Sequence, residues 1–335
     1  MNVLSIARNG FLESIRQPVF VVLLLGGTLA MVLNVNLAAF TLEDDNKLLI
    51  DLGLSTLFIA GLLLAAFTAT SVLSREIENK TVLTVVSKPV SRASLVIGKY
   101  LGVAGALAVA YWALSVVFLL AVRHRVQSSV RIDDTFDMPV LVFSLLFGGL
   151  ALLGAALANY LYRRPFPSVF AISYAIALTI ALAIVCCVSR EWAFQDPRVE
   201  WRPQLMIALG LVFQAILVLA AVAIAASTRL GQVMTLVVCL GAFLAGLVSE
   251  YFLGTLLTGP ATEAGGPAAS GLAKSLLWPL YLAIPNLQFF WPADALTQGH
   301  EITLGYFGSV TLYAALVIGA LISLAVLLFQ RRDVG

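Results

Sequence analysis

Apolar residues in this chain come in long uninterrupted blocks. Eight of them, 18–40, 52–73, 100–122, 139–160, 168–188, 203–226, 233–257 and 302–329, hold a single charged residue between them, Glu250. Each block is long enough to cross a hydrocarbon core of about 30 Å as a helix. The pattern predicts an all-α polytopic membrane protein of about eight transmembrane helices, forming one transmembrane domain over 1–335 with no soluble domain.

The polar segments between the blocks carry the finer pattern. Residues 1–17 read as an interfacial amphipathic helix, with Val3, Leu4, Ala7, Phe11 and Ile15 on one face. Asn2, Ser5, Asn9, Glu13 and Arg16 lie on the other face, with Arg8 as an intruder. The segment is too polar for the core of a cleavable signal and the first block too long for one, so no secretory signal is expected. Pro18 permits a sharp turn into the first span. The stretch 258–301 begins as a Gly/Pro/Ala-rich loop and turns amphipathic, interrupted by Pro279, Pro285 and Pro292. With Trp278, Tyr281, Phe289, Phe290 and Trp291 it suits one or two short helices lying in the outer leaflet or dipping into it and back.

The segment 75–92, REIENKTVLTVVSKPVSR, is polar, charged and short. Glu76 and Lys80 stand four apart with the glutamate first, the favourable order on an exposed helix. Leu83 and Val86 share a face, with Val82 and Val85 beside them. Lys88-Pro89 stops the helix, because the residue before a proline is pushed out of the α region. Ser91 is placed to cap the helix that becomes the third span. This is either a docking element between two spans or a solvated loop whose charges fix the topology.

Composition agrees with the pattern: 61% of residues are hydrophobic and 11% charged, against roughly 45–50% and about 25% in a soluble domain. With the N-terminus inside, twelve of the 20 Lys and Arg residues fall on the inner side, facing only Glu13, Glu76, Glu78 and Asp333. The outer side takes the other eight with 14 acidic residues, so basic residues favour this orientation. The overall charge of +2 provides no solvated basic face for nucleic acid. Cys186, Cys187 and Cys239 lie in or at the edge of spans, without metal-type spacing, and read as buried small hydrophobes.

The chemistry expected of an enzyme has no residues to carry it. No phosphate-binding loop is present, and His300-Glu301 is followed by Leu304 where a zinc protease would place its second histidine. His124 is the other histidine, and no intramembrane Ser/His or paired-Asp arrangement occurs. Asn79-Lys80-Thr81 fits a glycosylation sequon, by chance if the segment faces inward. Asp51 and Glu250 sit at outer helix ends, placed to anchor them more than to touch substrate. Thr68, Thr70 and Ser71 are expected to bond their own backbone. A lumen of Leu, Val, Ala and Phe suits a lipophilic or amphiphilic cargo better than an ion. No internal repeat supports an inverted-repeat carrier.

The residues Glu76, Glu78, Lys80 and Thr81, then Ser87, Lys88, Pro89, Val90, Ser91 and Arg92, then Gly98, Lys99 and Gly102, form a pattern. It resembles the cytoplasmic loop between the second and third spans of ABC transporter permeases of type 2. In that family the loop forms the coupling helix, which seats in a cleft of the ATPase subunit. The amphipathic N-terminus resembles the family's connecting helix, PNLQFFWPADAL its extracellular re-entrant helices, and the basic tail LFQRRDVG its usual ending. The likeness leans towards the branch of multicopper-enzyme maturation permeases. The family has six spans, so 203–257 reads as an extra hairpin.

The resemblance implies the transmembrane subunit of an ATP-driven transporter, an exporter, in a bacterial cytoplasmic (inner) membrane with both termini cytoplasmic. Its partners would be two copies of an ABC ATPase subunit, a second permease, identical or homologous, the lipid bilayer, and an extracytoplasmic partner at 258–301. This chain would hold no cofactor, ATP and Mg residing in the ATPase. The implied ATPase-coupling interface is Glu76, Glu78, Lys80, Thr81, Leu83, Val86, Ser87, Lys88, Pro89 and Arg92. Leu83 and Val86 would supply apolar contact, while Glu76, Glu78, Lys80 and Arg92 would set orientation. The alternatives are a membrane scaffold or assembly subunit without transport, and an ion-coupled carrier. The latter should need a charged residue near mid-membrane, which the spans lack.

Overall fold

A computed structural model describes residues 2–38, 45–78, 91–126, 136–254 and 284–330, together with 257, 275, 277–279 and 281. A short helix α1 (Val3–Ile15) precedes α2 (Pro18–Ala38), α3 (Asp45–Glu78), α4 (Arg92–His124), α5 (Met138–Tyr162) and α6 (Phe166–Cys187). Then follow α7 (Pro203–Ser227), α8 (Gln232–Ser249), the five-residue α9 (Ala293–Thr297) and α10 (Leu304–Gln330). Eight of these, all but α1 and α9, are long and apolar enough to cross a membrane, which bears out the eight-span reading. The described residues contain no strand; Val188 and Phe194 make one isolated bridge in the link after α6. That link lies at the end of the bundle called outer, after the side on which the charge pattern would place it, and the opposite end is called inner.

Local sequence sets the helix ends. Ser91 caps α4 as expected, its hydroxyl accepting the Ser94 N–H at 3.1 Å. Asp137 caps α5 by accepting from Val140 N at 3.3 Å. Prolines fall in the first turns of α5, α6 and α7, where the missing N–H has no partner to lose.

Helices α3, α4 and α7 pack on one another and form the centre. Of the most apolar stretch of α7, 72% is buried, against 17% in α5. The two helices of the extra hairpin over 203–257 are both present, and the first of them is the most enclosed span. The cause is its run of small side chains, Ala220, Ala221, Ala223 and Ala225, all buried, which lets neighbouring helices approach closely. Gly61 on α3 serves the same contact, since a Cβ there would fall 2.2 Å from Ile216 Cδ1. The least enclosed span is α5, which rests on α6 and leaves Leu145, Leu153 and Leu161 exposed as lipid contacts.

At the outer end, segment 284–291 docks on α8. Leu287 N–H donates to Gly246 O at 3.0 Å and Gln288 Nε2 to Leu247 O at 2.6 Å, just where α8 widens into a π turn (Glu250–Gly254). Donors inserted into a helix's carbonyl ladder are a recognised cause of such a distortion. Glu250 accepts from Tyr281 Oη and Asn286 Nδ2, both at 2.8 Å, so it anchors a helix end as its position suggested. The bond to this carboxylate raises the Tyr281 phenol above its ordinary pKa. Trp291 stacks on Phe58 of α3, with ring centroids 5.8 Å apart.

Arg123, read in the sequence only as an outer-side charge, closes the other outer corner. Its guanidinium donates to Val185 O at 2.6 Å, Val188 O at 2.7 Å and Asp137 Oδ2 at 3.3 Å. Glu200 stands 3.5 Å away, and Arg190 lies 3.6 Å from Asp137. The last turns of α4 and α6 and the cap of α5 thus meet on one buried side chain. We expect Arg123→Met to destabilise the protein by about 3 kcal/mol, because it leaves the enclosed Asp137 carboxylate with only the half-exposed Arg190 as counter-ion. Arg123→Met combined with Asp137→Asn should lose clearly less, as read from thermal unfolding midpoints in one detergent.

Candidate functional site

The inner end of the bundle is where the sequence places its docking element. Glu76 and Glu78 lie in the last turns of α3, so residues 75–78 continue the second span and do not begin a separate helix. Lys80, Thr81, Leu83, Val86, Ser87, Lys88 and Pro89 lie outside the described residues. Arg92, at the far end of the element, opens α4. Its Nη1 donates to Gln330 O at 2.7 Å and Phe329 O at 3.4 Å. Arg229, in the turn between α7 and α8, donates Nε to Leu328 O at 3.1 Å. Two inner arginines therefore satisfy carbonyls at the end of α10 that have no partner within the helix, and their charge suits the negative end of the helix dipole.

Against this corner lies α1. Its buried stripe is Ile6, Gly10 and Ser14, with Ile15, whereas Leu4 is 81% exposed. The expected apolar face of Val3, Leu4, Ala7, Phe11 and Ile15 is thus rotated. The helix packs through its small residues, which a hydrophobicity pattern counts as neutral or polar. Gly98 and Gly102 of α4 form the opposite surface. A Cβ at Gly102 would lie 2.5 Å from Ala7 O and 2.7 Å from Phe11 N, so the two backbones touch there. Close approach through glycines spaced four apart is a common mode of helix pairing in membranes.

Lys99 lies between the two glycines, 3% exposed, with Nζ 3.0 Å from Glu13 Oε2. Sequence reasoning missed this pair, having assigned Glu13 to the solvated face. The usable signal was the Gly98–Gly102 spacing with a lysine inside it, facing a helix that offers Gly10, Glu13 and Ser14. Beyond α1, Gln17 donates Nε2 to Ser71 Oγ of α3. Thr68, Thr70 and Ser71 also bond backbone carbonyls of their own helix, as expected. A cavity of about 480 Å³ opens between α1 and α3, lined by Asn9, Leu12, Glu13, Arg16, Gln17, Pro18 and Ser71.

The arrangement has a mechanical character. Whatever moves the start of α4 moves α1 through Gly98, Lys99 and Gly102, and moves α10 through Arg92. We expect Gly102→Val to force α1 off α4, lowering the unfolding midpoint and speeding tryptic cleavage after Arg8 and Arg16. Gly154→Val, where a Cβ meets open space, should change neither.

Residues 4–185, from α1 to the last turn of α6, match the family model described as ABC-2 family transporter protein. No curated protein matches the chain. A match over more than half of the sequence, covering α1 and five of the spans, makes this chain a member of the ABC-2 transporter family and a transmembrane subunit of an ABC transporter.

Proposed function

We propose that this subunit is driven by a separate ATPase that docks on segment 75–92, and that it moves lipophilic or amphiphilic cargo outward. The observation that carries the reading is the linkage at the inner corner. The residue ending that segment, Arg92, is bonded to the end of α10. About two to three turns further on, Gly98, Lys99 and Gly102 are joined to α1. A push on the segment would reach α1, α3, α4 and α10 together. That is what conversion of ATPase closure into helix movement requires.

In this reading Leu83 and Val86 fill an apolar cleft of the ATPase, while Glu76, Glu78, Lys80 and Arg92 orient it. Thr81, Ser87, Lys88 and Pro89 shape the turn between them. Two permease chains, identical or homologous, work with two ATPases that hold the ATP and Mg. Both termini face the ATPase side of a bacterial cytoplasmic membrane, and 258–301 forms the outer face, open to an extracytoplasmic partner. The branch is that of multicopper-enzyme maturation permeases, on the resemblance of the segments quoted above. Export of an amphiphile suits the eight apolar blocks of the sequence, whose single charge, Glu250, lies near one end.

The test is co-purification from mild detergent with an ATPase assay on the eluate. The wild-type chain should bring down a stoichiometric nucleotide-binding subunit. Glu76→Lys with Leu83→Asp should insert normally yet lose coupled ATPase activity by about thirtyfold or more, the scale of removing an interface anchor. Undiminished activity in that double variant would refute the docking site. A folded wild-type chain that brings down no ATPase would favour a scaffold.

A further inference from the structure

We infer that the outer end of the central helices holds a binding site for an anionic oxygen-bearing group, of the phosphate or carboxylate class, in a cavity unrelated to the inner corner. The cavity, about 130 Å³, lies among α3, α4 and α7 and is lined by Asn46, Leu49, Ile50, Val122, Arg125 and Arg202. It has room for a tetrahedral oxyanion and too little for a whole amphiphile.

The polar groups at its rim are donors. Arg125 and Arg202 contribute guanidinium groups, which offer no acceptor. Asn46 Oδ1 accepts the Val126 N–H at 3.4 Å, which leaves the amide NH2 to donate. Among the described residues neither arginine is in an ion pair. Two outer carboxylates are committed elsewhere, Asp137 and Glu200 to Arg123, with Arg190 also on Asp137. Two guanidinium groups and an amide donor lining one cavity are the donor chemistry that phosphate and carboxylate groups take. The walls below, Leu49 and Val122, are buried and apolar, and suit the first carbons of a chain attached to such a group.

The backbone supplies an independent observation. Arg125 has φ 62 and ψ 168, a region that glycine occupies freely and an L residue only under strain. Its N–H donates to Ala121 O at 3.1 Å and its carbonyl contacts His124 Nδ1 at 3.0 Å, so the conformation is held from both sides. A glycine would relieve the strain at this position; the chain instead keeps a large cation at a cavity wall beside a second one. Strain retained at such a place marks a side chain used for something other than stability.

The experiment titrates dodecyl phosphate into the full chain in phosphatidylcholine nanodiscs, with binding and thermal midpoint measured on each variant. Arg125→Gly should weaken binding at least tenfold while leaving the midpoint equal or higher, a combination that a merely structural arginine would not give. Arg202→Gln should also weaken binding at least tenfold, and Arg198→Gln, an exposed arginine outside the cavity, should leave it unchanged. Competition identifies the source. Displacement by phosphatidylglycerol in the disc, and not by inorganic phosphate, points to a lipid headgroup. The reverse result points to a water-borne anion. Equal affinity in wild type and Arg125→Gly would overturn the site, as would an equal loss in Arg198→Gln, which would reduce it to general surface charge.

Discussion

An ammonium group enclosed by helices is tolerable only beside a carboxylate, and that requirement at Lys99 organises the inner half of the molecule. Glu13 is the partner, so α1 must lie at the depth and angle that bring it within reach. That approach leaves no room for side chains between the backbones, which is why Gly98 and Gly102 flank the lysine and Gly10 faces them. Once α1 is fixed, Gln17 meets Ser71 and Pro18 turns the chain into α2 beside α3. Isolated, the pair would stabilise little, since charge burial offsets much of the attraction. Its effect here is specificity: it selects one seat for a helix that could otherwise float on the membrane surface.

The two ends of the bundle use the same chemical device. Arg92 and Arg229 donate to the terminal carbonyls of α10, and Arg123 donates to carbonyls at the end of α6. Arginine suits this role because one planar fork reaches several oxygens and stays charged throughout. The difference lies in what surrounds the fork. At the inner end the arginines lie in or beside polar links, so the bonds can be remade as helices shift. At the outer end the fork is buried with Asp137, where breaking it would be costly. The bundle thus has one edge whose bonds can be remade and an opposite corner that is fixed.

Much of the fold was legible because crossing a membrane imposes a length and a polarity, and the eight apolar blocks met both. The end signals were equally local, as the Ser91 cap illustrates. What escaped was tertiary. The face of α1 was misplaced because Gly10 and Ser14 pack by being small, which no apolar pattern registers. The burial of α7 was missed because it is apolar on every side, so its neighbours cannot be read from periodicity. Arg123 looked like a topology marker, and its partners lie 14 to 77 residues away. Of the residues proposed for coupling, Arg92 makes an unanticipated contact with the end of α10. The glutamates Glu76 and Glu78 proved to extend a span.

The outer corner also sets an order in time. Arg123 is made at the end of α4, yet the carbonyl it finally holds, Val188 O, is 65 residues further along the chain. At a synthesis rate of about 5–20 residues per second, its guanidinium waits roughly 3 to 13 seconds for that partner. Meanwhile α5, which rests almost wholly on α6, has little protein to lean on. The third span must therefore keep its outer end in water, and its charge hydrated, until the α5–α6 hairpin arrives as a unit and encloses it. The membrane insertion of this protein is thus paced by a charge that ends up buried.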